Sequence, residues 1–390
     1  MDPATIASFG IASVASLFMA WVIGAGSSGA TPFAPAVGAN AISTLRAALV
    51  VGVLGFLGAV TQGANVSEAV GRGLVDGVSL PTTGVIVVLL IGAGLMAVGI
   101  KTGYPIATAF TVTGAVVGVG LAMGGDPVWA KYREIGALWV LTPFVGGSVA
   151  FAIARVLPRE DVPERVSVPL LAALVGAVFA NLEFGVLGAV GGSIAAAGAR
   201  LLGETGLLGQ GILTAFIAAL GALVVRWDLD RDQTAGLRHF LLTLGSLVAV
   251  SAGGSQVGLA VGPLIPLFEG QSILPPIALL LGGGFGMLVG SWTGAPRMIT
   301  ALSREYASLG PRRSIATLVP SFLIAQSAVV LGVPVSFNQI IVSGIVGSGL
   351  AIGGADISRR KLAMTVIAWI GSLGLAFVLG YGTTTVLNVG

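Results

Sequence analysis

Long apolar stretches recur along the chain at 6–23, 45–60, 84–100, 139–156, 168–190, 207–225, 240–250, 277–289 and 362–379, separated by short polar segments. A transmembrane helix needs roughly 20 mainly apolar residues, so these stretches predict a succession of membrane-crossing helices. The polar segments predict surface loops: 61–76 with Glu68, Arg72 and Asp76, 155–169 with Arg155, Arg159 and Arg165, 226–238 with His239 at its edge, and 297–313. Counting re-entrant pieces, the pattern predicts about ten to twelve membrane elements at the usual span length. Two stretches break it. GAGSSGATPFAPAVG at 24–38 follows the first span at once, and TGYPIATAFTVTGAVVGVGLAMGG at 102–125 follows Lys101. In hydrocarbon every backbone N–H and C=O needs an internal partner, so a segment interrupted by Gly and Pro survives only where it lines a protein-enclosed or watery cavity.

Both interruptions have a second copy. GGSQVGLAVGPL at 253–264 lies 228 positions after the first, with Ser27 matching Ser255, Ser28 matching Gln256 and Pro35 matching Pro263. LGVPVSFNQIIVSGIVGSGLAIGG at 331–354 aligns with the other at an offset of 229, pairing Gly103 with Gly332, Pro105 with Pro334 and Gly118 with Gly347. Two blocks in the same order at nearly the same spacing mean a duplicated chain. The expected fold is an all-α integral membrane protein of two homologous repeats with broken or re-entrant helices. If each copy holds an odd number of crossings, the repeats are inverted, as in many secondary transporters. The division expected is a first membrane repeat at 1–156, a central hydrophilic loop at 157–167, connecting membrane helices at 168–226 and a second membrane repeat at 227–390.

Composition agrees and removes several function classes. Mean hydropathy is +1.00 and only 9% of residues are charged, against about a quarter in soluble domains. The net charge of +3 gives no basis for nucleic-acid binding, because basic residues beside spans usually set topology. Arg155, Arg159 and Arg165 accordingly place the central loop in the cytoplasm. The chain has no cysteine and one histidine, so disulfides, thiol catalysis and a histidine-rich metal centre are not expected. No residue triad for catalysis is visible, so an enzyme is not expected. The first apolar stretch has no basic flank and runs on into the motif, so it reads as a retained span rather than a cleaved leader. The setting implied is multi-pass insertion in the cell membrane.

A helix that breaks inside the membrane offers unpaired N–H groups and roughly half a positive charge at the start of its next segment. Two such ends facing each other, with hydroxyls from Ser27, Ser28, Ser255, Ser336 and Thr108, the bare backbone at Gly29, and amides from Gln256 and Asn338, would cradle a small multivalent anion without arginine. Singly, each serine or glycine also serves simply to let membrane helices approach closely. It is the paired constellation that points to a site. A passive anion channel built on the same helix ends is the main rival reading.

The arrangement resembles the inorganic phosphate transporter family of secondary transporters. Each half of that family carries a GANDVANA-like signature and later a GLPVSTTH-like one followed by GAxVGxGLA. Here the first appears as GSSGATPF from Gly26 and GGSQVGLAVGPL from Gly253, and the second as GYPIATAFTVTGAVVGVGLA from Gly103 and GVPVSFNQIIVSGIVGSGLA from Gly332. The likeness spans nearly the whole chain outside the central loop. It implies transport of an inorganic tetrahedral oxyanion by alternating access, and a homodimer.

The departures sharpen the expectation. The family's Asn-Asp pair falls on Ser27 and Ser28, then on Ser255 and Gln256, so both acidic residues are missing. Its Ser-Thr-Thr-His run falls on Ala107, Thr108, Ala109 and Phe110, then on Ser336, Phe337, Asn338 and Gln339. Phosphate keeps a proton at neutral pH and wants an acceptor, whereas sulfate only accepts. A donor-rich neutral site therefore favours sulfate, with inorganic phosphate as the alternative, because unpaired polar groups give such sites their discrimination. Some sulfate permeases of the family likewise replace the acidic pair. The loss of the aspartates also thins the cage that Na⁺ would want. That leaves proton or sodium coupling open, with Glu183 the candidate proton carrier if it lies within a span. No other cofactor is implied.

Overall fold

The computed structural model describes residues 3–72, 74–159, 161–184, 192–203, 206–269 and 275–388, and among these the chain is almost entirely helical. In the first half α1 (Pro3–Gly26) is followed by the short α2 (Ala34–Gly38), α3 (Thr44–Gln62), α4 (Ala64–Arg72), α5 (Thr82–Thr102), α6 (Thr108–Ala122) and α7 (Trp129–Val156). Next come α8 (Glu164–Ala180), α9 (Ile194–Leu201) and α10 (Leu207–Arg231). The second half holds α11 (Gln233–Val261), a 3-10 turn at Gly262–Leu264, α12 (Ile265–Glu269), α13 (Pro276–Arg304), α14 (Pro311–Val330), α15 (Phe337–Leu350) and α16 (Arg359–Leu387). A two-residue ladder pairs Val75 with Pro127 and Asp76 with Asp126, antiparallel. Nine described helices are long and apolar enough to cross a membrane, and two shorter apolar ones are α6 and α15. The protein is a multi-pass membrane protein.

Several loop boundaries differ from the sequence expectation. The polar 226–238 segment is helical almost throughout. Asp232 caps α11 by accepting from the backbone of Thr234 and Ala235, and Arg226 pairs with Asp230 one turn on. Local capping thus outweighs polarity. In the expected central loop, α8 already begins at Glu164, whose carboxylate is held by Arg312 and by Gln233. The expected span 168–190 ends as a helix at Ala180, and residues 185–190 lie outside the described residues. Within 61–76, α4 is helical and buries Val66, Ser67 and Val70.

The repeats are inverted. Tyr104, just past α5, stacks under Lys361, 4.0 Å from the ring centroid. Lys361 in turn pairs with Glu305 at 2.6 Å, shortly before α14 begins. The end of α5 therefore shares a face with the start of its repeat partner α14, so the two copies run in opposite senses. This face also carries Arg155, Arg304, Arg312, Arg313, Arg359 and Arg360 around the chain ends that meet there.

Close backbone approach fastens the halves. A Cβ on Gly58 would stand 1.9 Å from Val250 O, and one on Gly253 would stand 1.9 Å from Gly55 O. With lipid as apolar as leucine, such small-residue contact and the dispersion it permits replace the hydrophobic drive between helices.

Candidate functional site

The two re-entrant helices create the site. Gly103 and Gly332 end α5 and the α14 turn with φ of 72° and 60°, the left-handed conformation that glycine reaches without a Cβ penalty. Pro105 and Pro334 follow in extended chain, which then turns back into the protein and starts α6 at Thr108 and α15 at Phe337. Proline before a helix start supplies no N–H that would need a partner there. The mirrored Gly and Pro thus build mirrored half-helices of 15 and 14 residues.

These two helix starts meet. Asn338, second residue of α15, donates from Nδ2 to Ile106 O at 2.7 Å, just ahead of α6, and to Gly26 O at 3.1 Å, at the end of α1. Two carbonyls on the amide nitrogen fix which way the side chain is turned. Its Oδ1 is left fully buried with no hydrogen-bond partner. Gln256 closes the other side: its Nε2 donates to Val335 O at 2.6 Å and its Oε1 accepts from Ser27 Oγ at 3.1 Å. Ser336 caps α15, accepting from Gln339 N at 3.4 Å. Ser27, Gln256, Ser336 and Asn338 are all 0% exposed, and none carries charge.

Each re-entrant loop is also held by a tryptophan of the opposite half. Trp139 on α7 donates Nε1 to Pro334 O at 3.0 Å, and Trp369 on α16 donates to Pro105 O at 2.7 Å. Phe110 stacks on Trp139 with centroids 3.9 Å apart, and Gln339 Nε2 donates to Trp139 O at 2.7 Å. These tryptophans stand 230 positions apart, one more than the offset of the prolines they hold, a signal present in the sequence. The identity of their carbonyl partners was not.

The expected constellation is therefore assembled only in part. Ser28 turns back onto α1, with Oγ 3.4 Å from Ile23 O. Thr108 begins α6 as expected, but its hydroxyl points to Met96 Sδ at 3.5 Å. Gly29 packs against α13: a Cβ there would stand 2.0 Å from Gly24 O and 2.7 Å from the Ser291 hydroxyl. Ser255 is buried with an unpaired hydroxyl.

Two corrections follow. The second copy of the Gly/Ser motif does not break: α11 runs unbroken through Ser255 and Gln256 to Val261, and only then tightens at Gly262–Leu264. Its glycines serve packing, since a Cβ on Gly254 would meet Gln62 and one on Gly258 would meet Ser67 N at 2.6 Å. Without a proline before Pro263, each N–H keeps its place in the helical ladder. The opposed helix starts consequently belong to α6 and α15, while the first motif presents a carbonyl, Gly26 O. Glu183, the candidate proton carrier, is exposed in the chain beyond α8, in an isolated bridge with Ser193, and lies in no span.

Towards the basic face the segment after α1 is tied down. Ser314 Oγ donates to Pro35 O at 2.7 Å and Arg238 Nε donates to Ala41 O at 2.9 Å. Tyr306, buried beneath, bonds Thr365 at 2.5 Å, and burial pushes its phenol above the usual tyrosine range. Asp356 is pulled below the usual carboxylate range: burial acts against this, but bonds from Ser308 and Arg313 prevail.

The profile of the phosphate transporter family matches residues 13–380. A candidate phosphate permease of Thermococcus kodakarensis is 26% identical over 97% of this chain and 96% of its own length. Another, of Pyrococcus horikoshii, is 28% identical over 93% of each chain. Among solved structures, one named as the sodium-dependent phosphate transporter superposes with a TM-score of 0.83 at 22% identity, covering 98% of this chain and 99% of that one.

Proposed function

The chain belongs to the phosphate transporter family, and we propose that it is a secondary active transporter of an inorganic tetrahedral oxyanion, with inorganic phosphate as substrate. The observation that carries this is the head-to-head approach of α6 and α15 through Asn338 and Ile106. Each helix start bears about half a positive charge, and two of them in a low-dielectric interior repel one another unless an anion lies between. Helix starts are ready-made oxyanion sites.

The unpaired Asn338 Oδ1 favours phosphate within that class. It is a buried acceptor, and a protonated phosphate oxygen can donate to it, whereas sulfate has no proton to give. The similar proteins described above are also named as phosphate permeases or a phosphate transporter. Sulfate, first in the sequence reading, becomes the second reading. It keeps one supporting observation: Ser27, Ser28, Ser255 and Gln256 stand where the family has its Asn-Asp pairs, so neither acidic residue is present.

Sodium is the coupling ion in this reading, because the structural neighbour is sodium-dependent by name and the candidate proton carrier Glu183 lies outside the spans. The basic face is assigned to the cytoplasm by the positive-inside tendency. A homodimer belongs to the same reading on family resemblance alone. The test is uptake of labelled phosphate into proteoliposomes under a sodium gradient. Accumulation above the outside level, abolished by a sodium ionophore and poorly competed by sulfate, is expected. Equilibration without accumulation makes the protein a channel, and preferential sulfate uptake reinstates the second reading.

A further inference from the structure

A second buried polar cluster lies between α3, α11 and α14. Gln62, Gln326 and Ser251 are 5%, 3% and 0% exposed. Gln326 Nε2 donates to Ser251 Oγ at 2.5 Å and reaches Gln62 Oε1 at 3.5 Å. Gln62 Nε2 in turn reaches the backbone carbonyl of Glu183 at 3.5 Å, beyond the end of α8. Neutral amides between membrane helices often act only as glue. What lies on either side of this cluster sets it apart.

Outward, Gln326 forms part of the wall of a cavity of about 560 Å³ whose other polar groups are Asn181, Thr214 and Ser327. Inward, Ser251 stands four residues before Ser255 on α11, so both face the same way. The Ser255 hydroxyl is fully buried with no partner. Its neighbour Gln256 bonds Ser27 in the central site. Gln62, bonded to Gln326, also packs against the bare backbone of Gly254, one residue before Ser255, where a Cβ would lie 2.7 Å from Gln62 Cβ.

We propose that Gln62 and Gln326 form the gate of an entry passage for small inorganic ions, running from the cavity at the ends of α8 and α14 to the central site. Swinging Gln326 into the cavity exchanges its bonds to Ser251 and Gln62 for bonds to water, a nearly even trade, and uncovers Ser251 and then Ser255. The identity of the travelling ion rests on the transport reading above. The passage itself is testable without transport.

The chain has no cysteine, so single cysteines report without background. Ser251→Cys in proteoliposomes is treated with a charged, membrane-impermeant methanethiosulfonate reagent, with and without Gln326→Ala. Ser16→Cys is the control: Ser16 is 3% exposed and bonded to Ala260 O, away from the cluster. Ser251→Cys should react roughly tenfold faster once Gln326 is alanine, the order expected from removing one buried polar latch, while Ser16→Cys stays unmodified. Gln62→Ala should accelerate labelling likewise, and it replaces Gln326→Ala should that variant fail to fold. Unchanged labelling of Ser251→Cys, or equal opening of Ser16→Cys, overturns the passage. Phosphate uptake measured in parallel separates the two ideas: labelling as expected without uptake keeps the passage and removes the transport reading.

Discussion

The Ser27 hydroxyl donates to Gln256 Oε1 across 3.1 Å, joining the first motif to the second although only the first is unwound. Because Gln256 also serves Val335 O, Gln256→Leu leaves two buried groups unpaired and Ser27→Ala one. Each unpaired group costs about 1–3 kcal/mol, so Gln256→Leu should be the more damaging in both thermal unfolding and uptake. The double variant should fall short of the sum by about 0.5–3 kcal/mol, as contacting residues do. Strict additivity would show that the bond is not made in the working protein.

Asn338 is expected to separate phosphate from sulfate. Asn338→Leu removes the unpaired acceptor, and phosphate affinity by calorimetry should fall about tenfold or more, in line with one lost buried hydrogen bond. Sulfate affinity should change less, since sulfate makes no use of an acceptor. Equal losses for both ions would make Asn338 purely structural.

Trp139 and Trp369 should behave as equals. Replacing either by Phe keeps the ring but strands a proline carbonyl, at Pro334 or Pro105, for about 1–3 kcal/mol. Both variants should therefore melt earlier in detergent by similar margins. A large loss from one with none from the other would contradict the mirrored roles.

The tight helix crossing predicts its own failure. Gly253→Ala puts a Cβ 1.9 Å from Gly55 O, a backbone atom that cannot step aside, so α3 and α11 must separate. Expression and thermal stability should drop sharply, whereas Gly371→Ala, with open space around it, should be silent or slightly stabilising through helix propensity.

Acid should loosen the basic face. Asp356 has a folded pKa below the ordinary aspartate value of 3.8, so its contribution to stability is present above that value and is lost as pH falls through the folded one. Asp356→Asn lacks this contribution at every pH. Melting temperatures of the two proteins should differ at pH 7 and converge as pH drops below 3.8. A constant gap would assign the stabilisation elsewhere.

Much of this was readable from residue order. The paired Gly103/Pro105 and Gly332/Pro334 announce two mirrored re-entrant helices, because only such residues turn a chain back inside a membrane. The second Gly/Ser motif misled for a physical reason: glycine both weakens a helix and lets another backbone press against it. Only the neighbouring Gly55 and Ser67 decide which use prevails at Gly253 and Gly258. The contacts of Trp139 and Trp369 cross between repeats, so no local pattern names their partners. Gln62 and Gln326 give no signal in the sequence, because a lone amide in an apolar run carries no periodic signature. For Glu183 the sequence leaves span and loop open, because its apolar surroundings resemble a span; the loop position follows from α8 stopping at Ala180.

α11 is continuous where its counterpart α1 gives way to turns at Ser27. A mirror-built machine with one stiff strut and one soft joint does not open alike on its two sides. Deformation concentrates at the joint, beside Pro35 and the basic face, while the strut keeps Gln256 stationary as a fixed post. In the transport reading proposed above, the two strokes of the cycle would differ in compliance, and the side of easier release would follow from a single helix that does not unwind.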